Sequence, residues 1–303
     1  MSEYITPKVD IAFKKIFGVE ENKDLLLSLI NSIVSVEDRA ASIEIMNPYN
    51  TQEFKRDKLS ILDIKARRGD GVKYNIEIQV SDEGDYDKRA LYYWSKTYAE
   101  QMEKGLDYTE LNKTIGIHIL NFLSIPKSNK YHNVFTIQEK YEKLPHFVDF
   151  EIHTIELSKF EGKKEPLELI LKKIQEPLDE WVTFMTKHED MSTESLPEEL
   201  HMPEIRKAMH ILDVMNFNNE EREEYEARLK WLRVEASTVK KVYEDGKKEG
   251  FSQGKTKGKA EGKAEGKAER SKEIAIQMLS QGMDTQLISQ ITGLPLEVIV
   301  KLQ

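Results

Sequence analysis

The stretch from Lys58 to Val80 constrains this chain more than any other. Leu62, Ile64 and Ala66 alternate with Asp63, Lys65 and Arg67, and Tyr74, Ile76 and Ile78 alternate with Asn75, Glu77 and Gln79. Apolar residues at a period of two mark a strand with one buried face. The two runs flank Gly69-Asp70-Gly71, so the segment is expected to be a β-hairpin. Register then decides which side chains meet. A two-residue turn at Asp70-Gly71 pairs Lys65 with Ile76 and mixes charged and apolar residues on one face. A three-residue loop, Gly69 to Gly71, instead pairs Ala66 with Tyr74, Ile64 with Ile76 and Leu62 with Ile78. A slip of one residue turns every side chain to the other face, so the apolar pattern selects the second register. Gly71 supplies the left-handed residue that such a loop needs.

That register has a chemical consequence. Asp63 falls opposite Glu77, with Cβ atoms roughly 5 Å apart, and Gln79 follows two residues along on the same face. Ionised carboxylates this close repel, and a divalent cation between them removes the penalty. Oxygen-only ligands favour Mg²⁺ or Mn²⁺ over zinc. The alternative is a solvated polar face in which Lys65 and Arg67 supply the counter-charge.

Composition narrows the remaining classes. The chain has 303 residues, room for one large domain or two ordinary ones, and it contains no cysteine. Disulfides, zinc ribbons and thiol catalysis are therefore excluded. No apolar run approaches the roughly 18 residues that span a membrane. Met1-Ser2-Glu3-Tyr4 lacks the parts of a signal peptide, so a cytoplasmic protein without a membrane partner is expected. The net charge of −9 argues against a globally basic nucleic-acid binder. It does not argue against a cation-loaded carboxylate site, which attracts phosphate locally.

Along the chain, Thr6 to Gly18 is expected to be a short helix, with Thr6 as cap, Pro7 in the first turn and Gly18 at the end. A helix over Asp24–Val34 and a strand over Ala41–Met46 follow. Pro48 to Arg56 is a polar connection and Asp82 to Asp87 an acidic loop. Lys88–Lys104 has helical periodicity up to Gly105. Strands are expected over Lys113–Ile125, Val134–Glu139 and Phe150–Leu157. From Pro166 to about Glu244 the pattern is helical, with Leu167, Leu169, Ile170, Trp181, Phe184, Met209, Leu212, Trp231 and Leu232 as candidate core. Early strands followed by late helices indicate an α/β core with a helical extension. The histidines show no paired ligand spacing, and His118, in an apolar strand, is expected to be a satisfied core residue. Phosphate-cradling glycine loops and nucleophile elbows are absent.

Several segments together resemble a known family. They are Thr6-Pro7-Lys8-Val9-Asp10-Ile11-Ala12-Phe13-Lys14-Lys15-Ile16-Phe17-Gly18, Leu62-Asp63-Ile64-Lys65-Ala66, Asn75-Ile76-Glu77-Ile78-Gln79 and Arg89-Ala90-Leu91-Tyr92-Tyr93-Trp94. The family is the recombination-promoting nuclease and transposase group (Rpn proteins) of the PD-(D/E)XK nuclease superfamily. The resemblance covers most of the chain and is most specific in the first 125 residues. It implies an α/β fold with a restriction-endonuclease-like mixed sheet flanked by helices, followed by a helical extension and a Gly/Lys-rich tail. The boundaries it suggests are a nuclease-like core over 1–160, a helical extension over 161–245, a Gly-x-x-x tether over 246–270 and a small helical unit over 271–303.

The same resemblance implies roles. Asp63 and Glu77 correspond to the metal-holding acids, and Asp10 to the N-terminal acid of the family pattern. Asp10 is read either as a further ligand or as a first-turn acid favoured by the helix dipole. Gln79 stands at the usual lysine position. An amide orients water but brings no positive charge. Arg89 is the candidate grip on phosphate, with Lys65 as a supporting cation. Tyr93, together with Tyr92, Trp94 and Tyr98, is either a stacking platform for bases or core packing. The implied activity is Mg²⁺- or Mn²⁺-dependent endonucleolytic hydrolysis of DNA, connected with recombination or transposition. A non-catalytic DNA- or protein-binding platform on the same fold is the alternative, motivated by Gln79 and the acidic composition.

The tail has its own pattern. Gly246, Gly250, Gly254, Gly258, Gly262 and Gly266 recur every fourth residue among Lys, Ala and Glu. Residues 246–270 carry eight basic and four acidic side chains, so the rest of the chain has a net charge of −13. The small-residue stripe permits helix–helix contact and hence a homodimer through the C-terminal helices. Each interior glycine costs about 1 kcal/mol relative to alanine, which favours a frayed helical tether. The last unit resembles a small helix-turn-helix, with Asp284 as a cap and Gly293 in a turn, but its final helix offers only Lys301 as a cation.

Overall fold

A computed structural model of the chain describes residues 5–47, 63–81, 84–102, 105–161, 165–215, 217 and 219–302. The expected connection over Pro48–Arg56, Leu62 of the hairpin and Asp82 of the acidic loop lie outside the described residues, as do the side chains of Trp231 and Leu232. The chain divides into two compact units, Met1–Glu235 and Ala236–Gln303.

The first unit is built on a sheet of six described strands: β1 (Ile43–Ile45), β2 (Ile64–Arg68), β3 (Lys73–Gln79), β4 (Thr114–Leu120), β5 (His132–Thr136) and β6 (Phe150–Glu156). Their spatial order is β1-β2-β3-β4-β6-β5. The outer pairs are antiparallel, whereas β3, β4 and β6 run parallel. This is the mixed α/β sheet expected. The apolar face carries Ile64, Ala66, Tyr74, Ile76, Ile115 and Ile117, all fully buried. It packs against α1 (Asp10–Phe17), α2 (Lys23–Ile33), α6 (Pro177–Lys187) and α7 (Pro203–Asp213) through Phe13, Phe17, Leu29, Trp181, Phe184 and Met209. Each such side chain contributes roughly 1.5–3 kcal/mol by leaving water. The opposite, more polar face lies under α3 (Tyr86–Ala99), where Tyr86 and Ala90 cluster with Leu120.

The hairpin adopts the register that its apolar pattern selects. Ile64 pairs with Ile76 and Ala66 with Tyr74. The loop is Gly69 to Gly71, closed by Arg68 N–H to the Val72 carbonyl at 2.8 Å, with Gly71 at φ +103°. Arg68 grips Asp70 through two hydrogen bonds of 2.7 Å, a bidentate geometry that stiffens the loop.

Several boundaries differ from expectation, each for a local reason. The first helix starts at Asp10; Val9 is its N-cap and no side chain caps it, so Thr6 does not serve that role. Gly18 does end the helix. The fourth strand stops at Leu120 because the next residues turn, and the Ser124 and Ile125 amides bind the Glu156 carboxylate at 2.7 and 3.1 Å. The fifth strand sits two residues earlier than expected, set by its pairing with β6. Two short helices, α4 (Leu157–Glu161) and α5 (Leu167–Leu171), follow β6, and α5 buries Ile170 while leaving Leu169 exposed.

α8 (Asn219–Ser280) contains the whole glycine series as continuous helix. The intervening Lys, Ala and Glu are good helix formers. In the second unit, α9 (Thr285–Thr292) is capped by Asp284, whose carboxylate accepts the Gln286 and Leu287 amides, and ends on left-handed Gly293. α10 (Leu296–Val300) completes a small core of Ala275, Ile288 and Ile299. Among the described residues, no helix is long and apolar enough to cross a membrane.

Two outcomes test these elements. Gly71→Ala places a Cβ within 2.6 Å of the Asn112 side chain at a positive φ, so urea denaturation is expected to show a loss of about 1–3 kcal/mol. Around Gly258 and Gly262 an added methyl meets nothing within 4 Å. Converting both to Ala should therefore raise helicity by circular dichroism and stabilise the helix by about 1 kcal/mol per site; a loss of helicity would mean that the stripe is a packing surface.

Candidate active site

The hairpin ladder, continued one step past Ile64 and Ile76, puts Asp63 across from Glu77. Both side chains line a cleft of about 520 Å³ between the sheet and α3, together with Asn47, Lys65, Asn75, Arg89, Tyr92, Tyr93, Lys96 and Thr97. Five side chains named from the sequence thus meet there: Asp63, Glu77, Lys65, Arg89 and Tyr93. Gln79 lies at the end of β3, paired with Leu120 of β4, and does not line the cleft. Asp10 is buried in the first turn of α1, where its carboxylate accepts the Ile11 amide at 2.8 Å, and it too lies off the cleft lining. A cavity of about 600 Å³ lies elsewhere, around Tyr131, Lys159 and Asp179. Its acids are already engaged: Asp179 accepts the Tyr131 hydroxyl at 2.5 Å.

The backbone of Asp63 is held by groups that the sequence reading did not single out. The Lys14 ammonium donates to the Asp63 carbonyl at 3.0 Å, and the Asn47 amide donates to the same oxygen at 3.0 Å. Asn47 also accepts the Lys65 amide at 2.7 Å, continuing the edge of the hairpin. Lys14 is one helical turn after Asp10, so α1 aims both residues to the same side.

Glu77 is only 15% exposed. Arg89 Nη2 lies 3.5 Å from one of its oxygens and His118 Nδ1 lies 3.7 Å from the other. Lys65 instead pairs with Glu100 at 3.0 Å, and Arg67 with Glu44 at 2.6 Å. The counter-charge at Glu77 therefore comes from α3, not from the hairpin lysine. His118 is buried as expected, but it is not satisfied. Its Nδ1 has no hydrogen-bond partner, and the same is true of Asn75 Oδ1 and the Tyr86 hydroxyl. Burial, with Arg89 second, pushes the His118 pKa down to about 4, so the ring is neutral at pH 7. Burial first, and then the charge of Glu77, pushes the Tyr86 phenol up.

Beyond Tyr86, the other four aromatics of α3 divide into two pairs. Trp94 stacks on Tyr98 at 5.1 Å, donates to the Thr114 carbonyl and packs against Phe150, which is core behaviour. Tyr92 and Tyr93 remain 63% and 36% exposed at the cleft.

The residues present fit a hard divalent cation. Asp63 and Glu77 are oxygen donors, and the unpartnered Asn75 Oδ1 beside them can accept from a coordinated water. Among the described residues, no three His, Asp or Glu side chains form a ready-made metal cage. Mg²⁺ does not require one, because it is commonly bound through one or two carboxylates and keeps several waters.

A second polar cluster escaped the sequence reading because β5 and β6 assemble it. His132 meets His153 at 2.8 Å, His153 meets Glu151 at 2.6 Å, and Lys113 joins Glu151 to Asp38 at 3.0 and 2.7 Å. The Ser35 hydroxyl donates to the same Asp38 oxygen at 3.0 Å.

A family model described as PD-(D/E)XK nuclease family transposase matches residues 7–241. Another, described as Rpn/YhgA-like nuclease family, C-terminal HTH domain, matches residues 268–302. The chain belongs to the PD-(D/E)XK nuclease transposase family, as the resemblance implies. Neither curated proteins nor solved structures give a match.

The buried imidazoles predict an acid response. Burial lowers His118, His132 and His188 to about 4 from an ordinary 6.5. Between these values the unfolded chain binds protons that the folded chain refuses, so stability is lost as pH falls. Burial opposes the ionised form of Glu151, but His153 and Lys113 outweigh it and hold the carboxyl at about 2, which adds a loss below 4.5. The urea midpoint is expected to drop steeply from pH 6.5 to 4 and less so in His118→Asn; a midpoint constant over that range would contradict the buried neutral rings.

Proposed function

We propose that this protein is a divalent-metal-dependent DNA endonuclease that hydrolyses phosphodiester bonds, working in the cytoplasm in recombination or transposition. The observation that carries the reading is the meeting of Asp63 and Glu77 at one cleft, with Arg89 beside Glu77. Family membership supports a nuclease.

Asp63 and Glu77 would hold Mg²⁺ or Mn²⁺. When bound, such an ion activates a water and neutralises charge on the phosphate. Arg89 grips a non-bridging phosphate oxygen, exchanging its contact with Glu77 for the substrate. Lys65 and Lys96 add positive potential along the cleft, and Tyr93 with Tyr92 contacts the nucleotide next to the scissile bond. Gln79, two residues beyond Glu77 on the same face of β3, and Asp10, one turn before Lys14 on α1, would act on the site from outside the cleft lining. The four-part organisation over 1–160, 161–245, 246–270 and 271–303 belongs to the same proposal. In it, the helix-turn-helix unit and the basic 246–270 segment give a second, weaker hold on DNA, and the C-terminal helices supply any homodimer contact. A platform without catalysis remains the second reading, favoured by the amide at Gln79 in place of lysine.

Plasmid cleavage tests this directly. Wild-type protein with Mg²⁺ or Mn²⁺ is expected to nick or linearise supercoiled DNA, and Asp63→Ala and Glu77→Gln should each lose at least about 100-fold. Wild-type cleavage no faster than Asp63→Ala would rule out the enzyme and leave the platform.

A further inference from the structure

The missing lysine at Gln79 leaves the proposed site short of one positive charge. Lys14 lies behind that site. Its side chain is 2% exposed, and its ammonium donates to the Asp63 carbonyl at 3.0 Å. We infer that Lys14, reaching in from α1, supplies the charge that Gln79 does not, acting as a positioning residue on Asp63. This rests on the metal-dependent nuclease reading of the same cleft.

Three observations carry it. First, burial of an ammonium is costly, and a methionine or leucine on the same helix face would pack without that cost. The charge is buried at the carbonyl of a residue whose own carboxylate faces the cleft. Second, the chain makes room for it. A Cβ on Gly18 would come within 2.8 Å of both Lys14 Cγ and the Lys14 carbonyl, so the path of the lysine stem depends on a glycine at the helix end. Third, Arg89 is engaged with Glu77 at 3.5 Å, and the cleft lysines are differently placed. Lys65 and Lys96 both face Glu100, at 3.0 and 3.8 Å, and are partly or largely solvated. Solvent weakens their field, whereas a charge in the low-dielectric interior acts over a longer distance. Lys14 therefore fixes the backbone that aims Asp63. It also lowers the electrostatic cost of bringing two carboxylates and a phosphate together.

Charge and tethering are separable. Lys14→Gln keeps a donor for the Asp63 carbonyl without the charge, and Lys14→Met keeps neither. Gln79→Lys puts a longer, charged side chain at the end of β3, on the face that carries Glu77. With full-length protein at saturating Mn²⁺, kcat for plasmid cleavage should fall on the order of 10–100-fold in Lys14→Gln with KM within about threefold. Manganese should still bind by calorimetry. Adding Gln79→Lys to Lys14→Gln should recover most of kcat.

Lys14→Gln with kcat within threefold of wild type would overturn the assignment. So would a loss that Gln79→Lys does not repair, or unfolding of both Lys14 variants without repair, since each assigns Lys14 to stability alone. A wild-type protein that cleaves nothing fails the nuclease reading itself, a different result from an active wild type with an indifferent Lys14.

Discussion

The register of one hairpin sets everything that follows. With the loop at Gly69 to Gly71, Ile64, Ala66, Tyr74 and Ile76 all face the helical core, and Asp63 and Glu77 are left together on the other side. The alternative register would bury Lys65 or expose Ile76, and unpaired burial of a charge costs several kcal/mol. Hydrophobic burial thus pins the geometry of two carboxylates that repel each other. The stability of the whole sheet carries that repulsion, with Arg89 of α3 offsetting part of it at Glu77.

Around that pair the fold distributes the remaining work among distant segments. Helix α3 closes the cleft and brings Arg89 to Glu77, while its Trp94–Tyr98 stack anchors it to β4 and the residues before β6. Helix α1 and the second residue after β1 hold the Asp63 carbonyl through Lys14 and Asn47. Parallel pairing of β3 with β4 sets His118 beside Glu77. The unpartnered nitrogen of His118 and oxygen of Asn75 are buried at some cost, roughly 1–3 kcal/mol each. Polar atoms left waiting beside two acids are what a site completed by a ligand would contain.

The hairpin was legible because its signal is local: period-two alternation and a glycine at a positive φ. Arg89 and Tyr93 were legible only through family resemblance, since nothing in a helix sequence says which face looks at a distant strand. Lys14 and Asn47 were hidden because their contact is with a main-chain oxygen, 49 and 16 residues away. The His132–His153 pair was hidden because it is made by strand pairing across 21 residues. Thr6 as a helix cap failed for the opposite reason. The local signal was present, but the Thr6 hydroxyl and carbonyl accept the Lys8 and Val9 amides of a separate turn, at 3.4 and 3.2 Å, and the helix begins four residues later.

The C-terminal unit matches a helix-turn-helix family, yet α10 carries a glutamate and no cation. Most of the positive charge on that side lies in residues 246–270, and the cleft of the first unit is where the proposed chemistry is to be tested. Anomalous scattering from crystals grown with Mn²⁺ interrogates it most directly. The account predicts a manganese peak shared by the Asp63 and Glu77 carboxylates and absent in Asp63→Ala. A saturated crystal with no peak in that cleft would contradict it.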